Sequence, residues 1–263
     1  MTTVDPSPSP ALPPSSSPSP LPADEAPMLR LEDVDAAYGP FRALFGVSLT
    51  VPANTAVALV GPNGAGKTTV ARVCSGLLVP TRGRVLLRGE DVTGVPTHEL
   101  ARRGVAHANE GRSVFASLSV EDNLTLSFRQ TYGRAGVADA LDQAFDLFER
   151  LRERRRQIAG SLSGGEQRML ALARVVVLQP AVLIADELSL GLAPIVIDEV
   201  YRALGKVRAG GTSVVLVEQH VDRALDFADR AVAFDTGEVT WEGPSAELDG
   251  DRAAAFLREP VQP

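Results

Sequence analysis

Ala56-Val57-Ala58-Leu59-Val60-Gly61-Pro62-Asn63-Gly64-Ala65-Gly66-Lys67-Thr68-Thr69 decides the fold. Five apolar residues in a row read as a strand buried on both faces. They run straight into a G-x-x-x-x-G-K-T pattern, and Lys67 to Gly76 reads as the helix that follows. Strand, glycine loop and helix, in that order, is the context a phosphate-binding loop requires. Glycines let several backbone N–H groups converge on phosphate oxygens where a Cβ would block the approach. The helix adds its positive end at the same place. Lys67 offers a compact charge to the β- and γ-phosphates, and Thr68 a hydroxyl to Mg²⁺. Gly61, Pro62, Asn63, Gly64, Ala65, Gly66, Lys67, Thr68 and Thr69 are therefore the candidate cradle for a nucleotide's phosphates. Composition sharpens this. Of 26 basic residues only Lys67 and Lys206 are lysines, and one stands where a planar guanidinium would fit poorly.

Two further stretches belong with the loop. Ala181-Val182-Leu183-Ile184-Ala185 is a second buried strand, and it ends in Asp186-Glu187. Acids seldom end a buried strand without a reason. Asp186 is placed to hold Mg²⁺ through water, and Glu187 to act as general base for the attacking water. Ser163-Gly164-Gly165-Glu166 opens a helix that runs to about Leu178. Its free N–H groups and dipole suit another phosphate. A chain that already has one phosphate site makes use of a second if that second site serves the nucleotide of another subunit.

The remaining pattern fits a mostly parallel sheet with helices on both faces. Met28 to Val34 and Val47 to Val51 alternate like half-buried strands, and Gly83, Gly89 and Gly94 punctuate a hairpin with turns. Thr212 to Val217 is a third buried strand, and Asp235-Thr236-Gly237 turns a hairpin. Leu141, Ala144, Phe145, Phe148 and Leu151 fall at helical spacing, which predicts one amphipathic helix packed on the core. No second phosphate loop occurs, so one nucleotide-binding unit is expected. Residues 1–27, almost all Pro, Ser, Ala and Thr, read as a disordered segment.

Bulk properties exclude several classes. No apolar run reaches the ~18 residues of a membrane helix. With net charge −7 and pI near 5.1, nucleic acid is not an expected partner. The run Arg152-Glu153-Arg154-Arg155-Arg156 reads as a solvated face. The single cysteine, Cys74, permits no intrachain disulfide and fits a reducing compartment.

Phosphate loop, Ser-Gly-Gly segment and Asp-Glu strand, in that order, resemble the ATP-binding-cassette (ABC) ATPase family. The likeness runs over residues 28 to about 258. It implies an α/β P-loop cassette: a mostly parallel core, an antiparallel β subdomain and a helical subdomain at about 112–165, with 259–263 as a tail. It also implies head-to-tail pairing with a second cassette, identical or different, so that two ATP molecules are clamped between opposed subunits. Tyr38 matches the aromatic that stacks on adenine, and Ser189-Leu190-Gly191-Leu192 the segment that touches the opposite cassette. Glu110 stands where most cassettes carry the glutamine that meets the metal and the attacking water. Gln219 stands at the γ-phosphate position usually held by histidine. A one-residue slip would bring His220 there instead, at the cost of reversing every side chain of the strand. Leu188 replaces the usual Pro after the acid, so a looser turn is expected.

Glu110-Gly111-Arg112, the run Asp186 to Pro194 and Leu216-Val217-Glu218-Gln219-His220 narrow the resemblance to an ATP-binding subunit of branched-chain amino-acid importers. Urea and amide importers share much of this pattern. Such a subunit sits at the cytoplasmic face of the cell membrane beneath integral-membrane permease subunits, which an extracytoplasmic substrate-binding protein feeds. Val114, Phe115, Leu118, Val120 and Leu124 fall in the region where the resemblance implies that a permease docks, and either an exposed interface or core packing of several of them fits the pattern. Soluble ABC ATPases of translation or repair carry two cassettes or long coiled coils, and this chain has neither.

Overall fold

The computed structural model describes residues 27–108, 114–218 and 221–248. Among the described residues, ten strands and eight α-helices follow in the order β1 (Pro27–Tyr38), β2 (Phe41–Pro52), β3 (Ala56–Val60), α1 (Lys67–Cys74), β4 (Arg82–Leu87), β5 (Glu90–Asp91), α2 (Thr97–Arg102), β6 (Val105–Ala108), α3 (Val120–Tyr132), α4 (Val137–Leu147), α5 (Glu149–Glu153), α6 (Gly164–Val176), β7 (Val182–Asp186), α7 (Pro194–Ala209), β8 (Ser213–Val217), α8 (Val221–Phe227), β9 (Arg230–Asp235) and β10 (Glu238–Pro244). Pro27, the last residue of the expected Pro/Ser segment, opens β1. The rest of that segment and the expected tail lie outside the described residues.

The strands form two sheets. β2-β1-β4-β5 is antiparallel, and β10-β9-β3-β8-β7-β6 is parallel except for the β9–β10 hairpin. Every residue of β3, β7 and β8 is buried, as uninterrupted apolar runs demand when both faces are covered. Alternation along these strands divides the interior. Val57, Leu59, Ile184, Val215 and Val217 pack with Val70, Ala71, Val73 and Cys74 of α1 and with the antiparallel sheet. Ala58, Val60, Leu183, Ala185, Val214 and Leu216 face the other way, onto Leu124 and Phe128 of α3 and Met169, Leu170 and Ala173 of α6. The large sheet is thus a wall between two cores, with α1 on one side and α6 on the other.

Helix starts follow their chemistry. Ser119 caps α3, its hydroxyl accepting from Asp122 N at 3.0 Å. Pro194 opens α7 at the first turn, where its missing N–H costs nothing. One expectation fails. The stripe from Leu141 to Leu151 is two helices, broken at Phe148, whose backbone leaves the helical region at φ −131° and ψ 85°. The break aims Phe148 and Leu151 into the core beside Ala144 and Phe145, so burial outweighs helix continuity. The arginine run pairs with nearby acids: Arg152 with Asp146, Arg154 with Glu166 and Arg155 with Glu121.

Candidate functional site

The phosphate loop closes over the end of β3. Gly61 has φ +145°, and a Cβ there would stand 2.2 Å from the Phe234 carbonyl oxygen of β9. Gly64 has φ +81° with no described residue within 4 Å of a Cβ, which leaves room on its side of the loop for an approaching group. Ala65 N–H donates to Pro62 O at 3.2 Å, and Gly237 N–H donates to Ala65 O at 3.0 Å. The β9–β10 turn therefore braces the loop from behind.

Lys67 is buried, and its Nζ donates to Gly61 O at 2.7 Å and to Pro62 O at 2.8 Å. Burial holds the ammonium below its usual pKa, while Glu187 and Asp186 pull in the opposite direction. Thr68 Oγ1 donates to Asp186 Oδ1 at 3.3 Å. A hydroxyl and a carboxylate side by side at a phosphate site are the hard oxygen donors Mg²⁺ takes, together with phosphate oxygens. Thr69 is buried behind them. Glu187 leaves β7 in the left-handed region at φ +52°, with its N–H bonded to Val217 O at 2.8 Å.

The other candidates surround this centre. Tyr38, 40% exposed, ends β1 beside α1, where Arg72 Nη1 donates to its hydroxyl at 3.1 Å and the guanidinium lies 5.7 Å from the ring centroid. Ser163, Gly164, Gly165 and Glu166 form the start of α6. Ser163 and Glu166 make a reciprocal capping box, with Ser163 N–H donating to Glu166 Oε2 at 2.9 Å. Burial pushes the Glu166 carboxyl up, but the Ser163 bonds and Arg154 outweigh it and hold the group below its ordinary pKa. That carboxylate is committed to its own helix start. Among the described residues nothing comes within 4 Å of a Cβ at Gly164. Glu110 and Gln219, with His220, lie outside the described residues.

The Leu188 turn is held rather than loose. Leu188 is 2% exposed in the core. Arg168 of α6 donates to its carbonyl at 3.2 Å and also to the Leu190 carbonyl. Of the expected docking residues, Val120 and Leu124 are core, while Phe115 is exposed under the Arg174 guanidinium at 5.0 Å. Asn123, wholly buried, fixes the Phe115 backbone by accepting from its N–H at 2.8 Å and donating to its carbonyl at 3.0 Å.

His107 was not legible as a site residue. It sits on β6 with Nε2 4.0 Å from Asp186 Oδ2, and among the described residues neither ring nitrogen has a hydrogen-bond partner. Asp186 would favour a charged ring, yet burial and then Arg72 prevail and push its pKa down to about 4. Glu218 was missed too, although a carboxylate after Val214-Val215-Leu216-Val217 carries the same signal as Asp186: an acid at the end of a buried strand.

The family model described as ABC transporter matches residues 44–189. The chain is 38% identical over 221 residues to the high-affinity branched-chain amino acid transport ATP-binding protein BraG of Pseudomonas aeruginosa, covering 84% of this chain and 94% of that protein. It is 36% identical to the probable branched-chain amino acid transport ATP-binding protein LivF of Archaeoglobus fulgidus, over 84% of this chain and 94% of that one. The lipopolysaccharide export system ATP-binding protein LptB of Escherichia coli is 31% identical, over 84% and 92%. Among solved structures, an ATP-binding subunit of an ABC transporter superposes with a TM-score of 0.76 at 25% identity, over 89% of this chain and 96% of that chain. With the phosphate loop, the Asp186-Glu187 strand end and the Ser163 helix start in place, the chain belongs to the ABC transporter family, as one of its ATP-hydrolysing cassettes.

Proposed function

We propose that this chain is the ATP-binding subunit of an importer of branched-chain amino acids. It works as one of a pair of cassettes at the cytoplasmic face of the membrane, beneath permease subunits. The observation that carries the pairing is the sheet that separates α1 from α6. α1, which follows the phosphate loop, and α6, which Ser163 opens, pack on opposite faces of that sheet, which fits a second phosphate surface that serves a neighbour's nucleotide.

Lys67 and the loop N–H groups hold the ATP phosphates. Thr68 and Asp186 would hold Mg²⁺, which neutralises charge on the phosphates when bound. Glu187 takes a proton from the attacking water as the new O–P bond forms, and ADP departs with the electrons of the broken P–O bond. Tyr38 offers its ring to adenine. Glu110 and Gln219 stand in the sequence where they would meet the water and the γ-phosphate. The groove of about 1060 Å³ lined by Arg102, Phe115, Leu126, Arg129, Arg174 and Val175 is the docking surface for the permease.

Substrate and direction rest on BraG, LivF and the run from Asp186 to Pro194. LptB supplies the rival reading, export. The test is to purify the chain with its membrane partners, reconstitute them and measure uptake. Leucine accumulation that needs ATP and vanishes with Glu187→Gln is expected, as is an ATP-trapped cassette dimer in that variant. Outward movement of a lipid-linked substrate would overturn the import reading.

A further inference from the structure

The turn after Glu187 is gripped by side chains outside the phosphate loop. A non-glycine residue at φ +52° persists only where its surroundings over-determine it. Two bonds carry the β7–β8 pairing past the strand ends. Glu187 N–H donates to Val217 O at 2.8 Å, and Ser189 N–H donates to Glu218 Oε1 at 3.0 Å. The Ser189 hydroxyl donates to the other oxygen of the same carboxylate. Glu218 is 2% exposed and Ser189 1%. Arg168 holds the Leu188 and Leu190 carbonyls from the opposite side.

A buried carboxylate is a weak source of stability, because desolvation offsets most of its attraction to donors. It is a strong source of geometry. We propose that Glu218 is a positioning residue for ATP hydrolysis: through Ser189 it fixes the angle at which Glu187 leaves β7. The lever is short, since Ser189 lies two residues beyond the acid. The proposal rests on the reading of Glu187 as general base. A base displaced by about 1 Å can lose on the order of a hundredfold in rate, whereas nucleotide affinity, set by the loop, has no reason to change.

The test is steady-state ATP hydrolysis by the full-length chain, comparing wild type with Glu218→Gln, Ser189→Ala, Ser189→Thr and the double variant Glu218→Gln/Ser189→Ala, with Glu187→Gln alongside. Glu218→Gln and Ser189→Ala are expected to lower kcat about tenfold and leave KM for ATP within about twofold. Ser189→Thr, which keeps the hydroxyl, should restore most of the rate. The double variant should be no slower than the slower single, because both act through one contact. Wild-type kcat in folded Ser189→Ala, kcat and KM moving together, or Ser189→Thr as slow as Ser189→Ala would each overturn the proposal. If Glu218→Gln fails to fold, the two Ser189 variants decide. Wild-type turnover by Glu187→Gln would instead overturn the base assignment, which keeps the two failures apart.

Discussion

His107 shows what one buried ring does. It lies against Asp186, with burial and Arg72 holding it neutral down to about pH 4. In the unfolded chain it takes up a proton at its ordinary value of 6.5. Between those two values the unfolded state binds more protons, so acid favours unfolding and stability falls as pH drops through that window. From about pH 7 to about pH 5 the loss is on the order of 2 kcal/mol. Urea unfolding of wild type and His107→Gln at the two pH values checks this. The variant should lose roughly one proton's worth of pH dependence, and parallel curves would refute the assignment. Nothing in the sequence marked this residue, because a lone histidine among apolar neighbours looks the same whether or not a carboxylate folds up beside it.

At the scale of elements, α6 depends on its first turn. Ser163→Ala removes the side chain that caps Glu166 N–H and a donor that Glu166 uses. Thermal or urea unfolding should show a loss of about 1 kcal/mol. The phosphate loop, its strand and the start of α6 were readable because backbone need dictates residue type there. Gly61 can be nothing larger beside Phe234, and a helix start asks for Ser. Phe148 was not readable as a break, since helical spacing continues through it and only packing against Ala144 and Leu151 decides. The hold on the Leu188 turn escaped for a similar reason. Pro would have stiffened it locally and visibly, whereas Arg168 and Glu218 do so from 20 to 30 residues away, at separations of 20, 22 and 29.

At the scale of the whole molecule, the two cores differ in what they enclose. Cys74 sits in the one that holds α1, with burial pushing its thiol up to about 12. Its thiolate forms only when that core opens. Labelling with a maleimide should therefore be slow in the native protein, immediate in urea, and slowed further by ATP if nucleotide binding tightens α1 against its sheet. Fast labelling of the folded chain would show that this core opens independently of the other.

The wall between the cores also has a kinetic consequence. If the surface at Ser163 completes only a neighbour's nucleotide site, a solitary chain is half an enzyme twice over. Dilution then acts as an inhibitor. The rate per chain should fall as the preparation is thinned, and it should return when an inactive Glu187→Gln chain with an intact Ser163 segment is added back.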